Sequence, residues 1–445
     1  MDFTQLIIVL SLLSFIFVGL LVKKSSTASY SDFTMNKKGL NWFVIATGIS
    51  MTFAGGAAIL TTASIGYMFK WYALIDPLAL MVGLLIVLFL YNIYKNDSGT
   101  TISDLLSAHD KKLTVLIGVI TSFTFLLIVA ANFVALSKLL SPYFPNINPS
   151  IIKFVVSTLV FSYVFWGGFN SVTKTDILQY ALIFALLVVP LFFFVIENHN
   201  QLTLPFVSHQ FVPMPLDYIV LFSIPVLFTP LSQDINLRIK SAKSTTHGKI
   251  GLMMGGIFYF TITLSVAFVG VYLGNHNIEL SDPEQAVPLF FKEHFPKVGF
   301  FAIIASLSAI ISSLDSYILN SIISVSNDII KPLSKSQNQA SKNIKIASLI
   351  TYVVAMMIAL FFNKILALTL TSLLIYISVL SPIALANRLN LSEKKIFIGS
   401  LINIGIIIIA EVLALALSPK ALIYPLIGCF VMLILKMFEF VTARR

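Results

Sequence analysis

The chain has 445 residues, of which 58% are hydrophobic and only 11% are charged, and its mean hydropathy is +0.94. Soluble domains average about 25% charged residues, so this composition excludes a soluble globular protein and indicates one embedded in a membrane almost throughout. The net charge of +10 does not indicate nucleic-acid binding, because the basic residues stand at the ends of apolar runs, where they report membrane topology.

Thirteen apolar runs of about 17 or more residues are long enough to cross a bilayer as helices. If the N-terminus lies outside, most of the 29 Lys and Arg residues fall in loops on the cytoplasmic side, as the positive-inside rule requires. We therefore expect a multi-pass protein of the cytoplasmic (inner) membrane, with the N-terminus outside and the C-terminus inside. The predicted spans are 4–22, 42–69, 72–94, 113–140, 151–168, 174–195, 217–237, 248–274, 299–327, 345–362, 364–387, 396–417 and 420–439.

Two of these spans contain residues that interrupt helices. The second includes MTFAGGAAIL, with Gly55 and Gly56 adjacent, and the seventh includes SIPVLFTPLSQD, with Pro225 and Pro230. Glycine tolerates unwound backbone and proline removes a helical hydrogen bond. Carbonyl oxygens freed in this way bind coupling ions in transporters built from inverted repeats, and the two spans are five apart, as a five-plus-five repeat requires. The alternative is ordinary close packing and kinking, which also use Gly and Pro in membrane helices.

Two carboxylates stand near the ends of predicted spans. Asp76, in YALIDPLAL at the start of the third span, is a candidate to bind an amine or to hold a proton, or it caps a helix that begins late. Asp176 stands at the inner start of the sixth span, where aspartate commonly caps a helix and interacts with its dipole. The functional interpretation is favoured for Asp76.

The longest outer connection, about 275–298, contains VPLFFKEHFP, which predicts a short amphipathic helix on the outer face. The sequence contains no phosphate-binding loop of the Walker type, so ATP is not expected to be the energy source. Neither a nucleophile–base pair nor a metal-ligand spacing is visible, and the single cysteine, Cys429, excludes a disulfide framework. We therefore do not expect an enzyme.

The ninth span is rich in hydroxyl groups. At about 100° per residue, Ser308, Ser312, Asp315 and Ser316 fall within one arc of the helix, Ser313 lies further round, and an apolar arc lies on the other side. Small hard cations prefer oxygen ligands, so these hydroxyls together with freed carbonyls predict a weak cation site. The alternative is that the serines bond back to their own helix or join it to its neighbours.

Three stretches of the chain resemble the sodium/solute symporter family. They are WGGFNSVTKTDILQYAL, PLSQDINLRIKSAKS and DPEQAVPLFFKEHFPKVGFFAIIASLSAIISSLDSYILNSIISVSNDIIKP, and the last is the most specific. The segment WFVIATGISMTFAGGAAILTTASIGY is similar to the family's first core helix. The resemblance covers residues 30 to 332, and the thirteen predicted spans fit the whole chain.

The resemblance implies an all-α polytopic fold of the LeuT type, an inverted repeat of five plus five helices with discontinuous members. It implies Na⁺-coupled symport of a small organic solute into the cytoplasm by alternating access. The expected partners are the solute and the lipid bilayer, with no nucleic acid, no obligate protein partner and no metal other than Na⁺. The expected divisions of a single transmembrane domain, 1–445, are 1–40 (first span and inner loop), 41–195 (first repeat), 216–387 (second repeat) and 396–445 (two C-terminal spans).

The resemblance also implies functional residues. The family's shared sodium site lies between the broken first core helix and the eighth. Its ligands, carried over by position, are Met51, Ala54, Ala309, Ser312 and Ser313. A second cation, or its release path, would use Asp176, Asp315 and Ser316. The candidate solute pocket comprises Thr52, Phe53, Gly55, Gly56, Ala57, Ala58 and Asp76.

The chain departs from the family pattern at several positions. The glutamine that precedes the motif arginine is replaced by Leu237. Ala57 and Ala58 stand where some sugar and proline carriers have polar or charged ligands, so an amino-acid-like or other amine- or carboxylate-bearing nutrient is favoured over a sugar. Asp76 falls where some members contact the solute. Proton coupling in the same fold, a channel with a decayed ion site, and a membrane sensor without coupled flux stay open as alternatives.

Overall fold

The computed structural model describes residues 3–21, 34, 39–107, 110–197, 217–334, 340–412 and 423–443. These residues are almost entirely helical, as the composition predicts. The helices are α1 (Phe3–Leu21), α2 (Trp42–Phe53), α3 (Gly56–Phe69), α4 (Ile75–Asn96), α5 (Ile102–Ser107), α6 (Lys111–Leu140), α7 (Pro149–Ile183), α8 (Val189–Glu197), α9 (Asp217–Leu231), α10 (Gln233–Lys240), α11 (Thr245–Asn275), α12 (Ala286–His294), α13 (Phe300–Ser324), α14 (Lys331–Leu333), α15 (Ala340–Phe361), α16 (Ile365–Arg388), α17 (Glu393–Val412) and α18 (Ile423–Ala443).

Several helices begin at polar residues that cap them. The side chain of Asn41 accepts a hydrogen bond from the backbone of Val44 at 3.0 Å, and so fixes the start of α2. Asp110 does the same for α6 through Leu113. These side chains satisfy backbone N–H groups that have no partner within the helix. A one-turn helix (Lys70–Leu74) separates α3 from α4, which confirms the short joint expected near Lys70.

Seven helical stretches among the described residues are long and apolar enough to cross a membrane, and four apolar helices are shorter. The shorter ones include Trp42–Phe53 and Phe222–Leu231, which belong to the two spans predicted to be interrupted. The predicted fifth span and the first part of the sixth form one helix, α7, that turns sharply at Gly168, where φ is 59° and ψ is −166°, and the rest of the sixth span continues to the end of α8. The structure thus agrees with a multi-pass protein, and the total of thirteen spans stays a prediction.

Both predicted interruptions are present. The backbone leaves helical geometry at Ala54 (ψ 35°) and Gly55 (ψ −171°), so α2 and α3 are two halves of one span. The later break lies at Ser232 (ψ 123°), two residues beyond Pro230, and separates α9 from α10. The prolines themselves remain inside α9.

The hydroxyl-rich helix α13 lies in the centre of the molecule. Every residue from Ala302 to Ser324 is buried, and the helix packs mainly between α6 and α7. Its apolar arc therefore meets protein neighbours, and its polar arc faces the broken helix α2–α3. On the other side of that broken helix, α11 packs along both halves.

The connection before α12 carries an ion-pair cluster. Lys138 Nζ, at the end of α6, lies 2.7 Å from Asp282 Oδ2 and 2.5 Å from Glu284 Oε2. The carboxylate of Glu284 also accepts hydrogen bonds from the backbone of Ile365 and Leu366, at the start of α16. The cluster and the helix α12, which the VPLFFKEHFP segment predicts, lie together on the side expected to be outer.

One isolated bridge joins the segment before α2 to the segment after α10. Leu40, just before α2, pairs with Ala242, just after α10. The backbone of Leu40 donates to Ser241 at 2.7 Å and accepts from Lys243 at 2.9 Å. The two segments are 200 residues apart in sequence, so this pairing fixes α2 and α10 side by side.

Candidate functional site

The break between α2 and α3 lies directly against α13. A Cβ atom built on Gly55 would come within 2.4 Å of Ser313 Oγ and 2.5 Å of Ser313 Cβ. Glycine is therefore required at this position by the close approach of two helices, in addition to its tolerance of unwound backbone. The Ser313 hydroxyl lies 2.7 Å from the carbonyl oxygens of Met51 and Thr52 and donates to them.

The five residues assigned by resemblance to a sodium site are all buried and lie on the two elements expected. Met51 and Ser313 are in direct contact. Ala54 precedes Gly55 at the break, and Ala309 lies one turn before Ser313 on α13. Ser312 has a different partner, because its hydroxyl donates to Asp176 Oδ1 of α7 at 2.5 Å. The two adjacent serines thus connect α13 to two different helices.

Asp176 belongs to a buried network of charges. Arg238 of α10 donates through Nη2 to Asp176 Oδ2 at 3.2 Å and through Nε to Asp234 Oδ2 at 2.7 Å. The same guanidinium donates to Thr52 Oγ1 at 3.1 Å. The hydroxyl of Thr52 is also 3.1 Å from Asp234 Oδ2 and 3.0 Å from Ser316 Oγ. The guanidinium of Arg238 thus bridges two carboxylates beside the predicted sodium site.

Burial makes this network energetically demanding. The side chains of Arg238 and Asp176 are fully buried, and that of Asp234 is 5% exposed. Charges removed from water are tolerated only when they are paired and hydrogen-bonded. The guanidinium also packs against α2 at Gly48, where a Cβ would lie 1.7 Å from Arg238 Nη1. The second buried acid of the prediction, Asp315, is fully buried on α13 next to Ser316.

Three residues of this region are not among those that the sequence predicts for the site. Arg238 follows directly on the predicted seventh span, 217–237, and the structure shows that its side chain is fully buried. Asp234 and Arg238 are four residues apart, which places opposite charges on one helix face. This spacing is the sequence feature that could have predicted their ion pair. Asn132 is a lone amide in the apolar helix α6; its Oδ1 accepts from the backbone of Gly56 at 3.0 Å, and it thereby caps α3.

A cavity lies on the other side of the break from Asp176 and Arg238. It is lined by residues of α2, α3, α4, α6, α9, α11, α13 and α16. Of the predicted pocket residues, Gly56 is buried against Ala135, and the side chain of Ala57 lies outside the described part of the chain. The predicted pocket residues that line the cavity are Thr52, Phe53, Gly55, Ala58 and Asp76.

Asp76 presents its carboxylate to this cavity among aromatic rings. Tyr259 of α11 donates its phenolic hydroxyl to Asp76 Oδ2 at 2.5 Å. The ring of Phe53 meets those of Phe228 and Tyr259 edge to face, with centroids 6.4 Å and 6.3 Å apart. All three rings line the cavity, and so does Tyr317 of α13. A carboxylate that shares a cavity wall with aromatic rings is an environment that suits an organic cation.

The cavity and the charge network share residues. Thr52 lines the cavity and bonds to Arg238, Asp234 and Ser316. Ser313 lines the cavity and bonds to the Met51 carbonyl. A molecule bound in the cavity would therefore lie against the same backbone break that an ion would use.

The sequence of the chain is similar to those of known proteins. The profile of the Sodium:solute symporter family matches residues 33–203. A sodium/proline symporter of Staphylococcus saprophyticus is 24% identical over 370 residues, which cover 77% of this chain and 71% of that protein. These matches confirm the resemblance indicated by the sequence motifs. The profile includes the first of the three quoted motifs, and the other two lie beyond residue 203.

Solved structures share the fold over nearly the whole chain. A Na⁺-coupled sialic acid symporter in a substrate-bound outward-open state has a TM-score of 0.68 at 18% identity, and the alignment covers 98% of this chain and 97% of that one. A nucleobase-cation-symport-1 family transporter in a closed conformation has a TM-score of 0.55 at 13% identity, covering 92% and 94%. A manganese transporter of Eremococcus coleocola has a TM-score of 0.53 at 12% identity, covering 95% and 98%. The chain therefore shares the fold of these solved structures.

Proposed function

We propose that this chain, whose residues 33–203 match the Sodium:solute symporter family, is a secondary active transporter that couples the entry of a small organic solute to Na⁺. Na⁺ binds at the break between α2 and α3, among the carbonyls of Met51, Ala54 and Ala309 and the hydroxyls of Ser312 and Ser313. The ion stabilises the conformation that binds solute, and the ion gradient then drives accumulation.

The contact of Ser313 with the broken helix is the observation that carries this proposal. The hydroxyl meets two carbonyl oxygens at the point where the helical hydrogen-bond pattern stops. A hydroxyl can rotate, so the same oxygen can offer a lone pair to a cation that the carbonyls also contact. Neutral oxygen ligands suit Na⁺ and cannot carry a proton, which favours Na⁺ over H⁺ at this position.

Asp176, Ser316 and Asp315 form the proposed second cation site or release path, on the side expected to face the cytoplasm. Asp176 already shares Arg238 with Asp234, so a cation reaching Asp176 competes with the guanidinium. This competition favours a weak and transient site over a tight one. The direction of transport, the cytoplasmic membrane, the outside N-terminus and the division into repeats 41–195 and 216–387 belong to the same proposal.

The solute is proposed to carry an amino group or to be an amino-acid-like nutrient, in preference to a sugar. The support is the carboxylate of Asp76 in the cavity and the alanine at position 58 of its wall. The similar chain from Staphylococcus saprophyticus is named a sodium/proline symporter, which agrees with this class without fixing the solute.

Paired serine variants test the ion site. We expect Ser312→Ala with Ser313→Ala to raise the Na⁺ concentration needed for half-maximal stabilisation of the purified protein at least tenfold, since two of five ligands are lost. Thermal unfolding in NaCl against KCl at equal ionic strength gives the measurement. Ser308→Ala is the matched control, because its hydroxyl is buried on the same helix but bonds back to Ile304.

An unchanged Na⁺ dependence in the double variant would remove the site assignment. A solute found by screening then tests coupling in proteoliposomes. Accumulation above the external concentration only under an inward Na⁺ gradient supports symport. Accumulation under a proton gradient alone, or equilibration without accumulation, would instead identify a proton-coupled carrier or a facilitator.

A further inference from the structure

We propose that the transported solute is a small organic cation without a carboxylate, held by Asp76 within the aromatic wall of the cavity. This deepens the proposed function and rests on it for the direction and energy source of transport. The position of Asp76 alone indicates a solute with an amino group. The other residues that line the cavity narrow this class to amines, because they disfavour the carboxylate of an amino acid.

The ionisable groups that line the cavity include an acid and no base. Among the residues that line it, Asp76 is the only one with an ionisable acidic or basic side chain apart from the tyrosines, and none of them is Lys, Arg or His. Asp76 Oδ2 accepts from Tyr259, and a neutral phenol does not balance a negative charge. A carboxylate in a low-dielectric cavity is stabilised by an opposite charge, which a cationic solute supplies.

The rings beside Asp76 reinforce this preference. Phe53, Phe228 and Tyr259 line the cavity together with Asp76, and the ring of Phe53 packs edge to face against each of the other two. Ring faces attract cations, most strongly where water is excluded. The cavity therefore combines the two features that recognise an ammonium group, a carboxylate and aromatic rings.

A solute carboxylate would find no comparable partner. In broken-helix transporters, the exposed N-terminus of a half-helix commonly receives the anionic group of the solute. In this chain, the first backbone N–H of α3, at Gly56, already donates to Asn132 Oδ1. The amide nitrogen of Asn132 in turn donates to the Ile128 carbonyl at 2.9 Å. The first N–H of α3 is therefore not free for a solute carboxylate, and the charge of Asp76 disfavours a second negative charge beside it.

The size of the cavity limits the solute. The space open to the centres of water-sized molecules is about 110 Å³. One water needs about 10–15 Å³ of such space, so the cavity accepts a solute of roughly ten non-hydrogen atoms. This fits a short amine or a small quaternary ammonium ion.

A set of four probes with one carbon skeleton tests the proposal directly. Binding of n-butylamine, 1-butanol, butyrate and 4-aminobutyrate to the full-length protein is measured from the concentration dependence of thermal unfolding in NaCl. We expect n-butylamine to bind at least tenfold more tightly than each of the other three. Equal affinity for 4-aminobutyrate and n-butylamine would overturn the proposal, because the cavity would then accept a carboxylate.

Charge variants show whether Asp76 is the recognising group. Asp76→Asn should weaken n-butylamine at least tenfold while leaving 1-butanol unchanged, and Asp76→Glu should retain the preference for the amine. Asp110→Asn is the matched control, because it removes a carboxylate outside the cavity and asparagine still caps α6. Amine affinity that survives Asp76→Asn would refute the assignment. If that variant does not fold, the probe series on the unmodified chain still decides.

Repeating the probe series in KCl separates this proposal from the one on which it rests. Amine binding that requires Na⁺ supports both. Amine binding of equal strength in the two salts contradicts Na⁺ coupling and leaves the solute class intact. Na⁺-dependent binding of butyrate or 4-aminobutyrate at the strength of n-butylamine contradicts the solute class and leaves coupling intact.

Discussion

Replacing Arg238 by glutamine would remove the cation that two buried carboxylates share. Arg238 makes charge-assisted contacts of 2.7 Å to Asp234 and 3.2 Å to Asp176 and a hydrogen bond to Thr52. Glutamine can replace one hydrogen bond but no charge. Removing one partner from a buried ion pair typically costs about 3–5 kcal/mol, and we expect a loss of that size in the free energy of unfolding when KCl is the only salt.

Sodium should restore part of the stability of this variant. With the guanidinium gone, Asp176 and Ser312 present free oxygen ligands to a cation beside the predicted ion site. A ligand present at a hundred times its dissociation constant stabilises the folded state by about 2.7 kcal/mol. The difference in unfolding temperature between NaCl and KCl should therefore be larger for Arg238→Gln than for the unmodified protein.

Scanning fluorimetry of the purified protein in matched concentrations of the two salts measures both effects. Lys153→Gln is the control, since Lys153 is a buried cation whose acceptors, the Ala359 carbonyl and Asn363 Oδ1, are neutral. It should lose stability without any gain in Na⁺ dependence. A loss below about 1 kcal/mol for Arg238→Gln, equal in both salts, would show that the carboxylates do not depend on the guanidinium charge.

Two further predictions concern the break and the outer cluster. Gly55→Ala should lower apparent Na⁺ affinity at least tenfold, because its Cβ would collide with Ser313. Gly405→Ala is the control and should leave the affinity unchanged, because nothing lies within 4 Å of the new atom. A normal Na⁺ titration for Gly55→Ala would contradict the close approach. Lys138→Met should destabilise the protein by about 1–3 kcal/mol in thermal unfolding, because it leaves Glu284 short of a charged partner, and a neutral effect would show that this ion pair contributes nothing.

The positions of the helix breaks could be predicted from local sequence. Adjacent glycines and closely spaced prolines act on the backbone of their own segment, so Gly55 and Pro230 mark the interruptions without knowledge of the fold. The hydroxyl arc of α13 is likewise a local pattern, and its burial follows from the cost of polar groups in lipid. That α13 lies against the broken helix α2–α3 was predicted only from the resemblance to the sodium/solute symporter family.

The partners of individual polar groups could not be predicted in this way. The contact of Ser312 with Asp176 depends on how α7 approaches α13 after the turn at Gly168, and that turn is set by tertiary packing. Arg238 has the sequence context of a topology-determining residue, and only the fold shows that it is enclosed. Asn132 caps a helix that begins 76 residues earlier, a relation that no local pattern contains.

The bridge between Leu40 and Ala242 joins α2 and α10 so that the two helices would move together. At one end, backbone pairing holds the start of α2 to the end of α10. At the other end, Arg238 and Asp234 hold α10 to Thr52. Neither half-helix can move away from the other without breaking buried hydrogen bonds, and the helical backbone is interrupted next to both, at Ala54–Gly55 and at Ser232. Rotation at these two interruptions would therefore move Thr52 and Phe53, which line the cavity, together with α10.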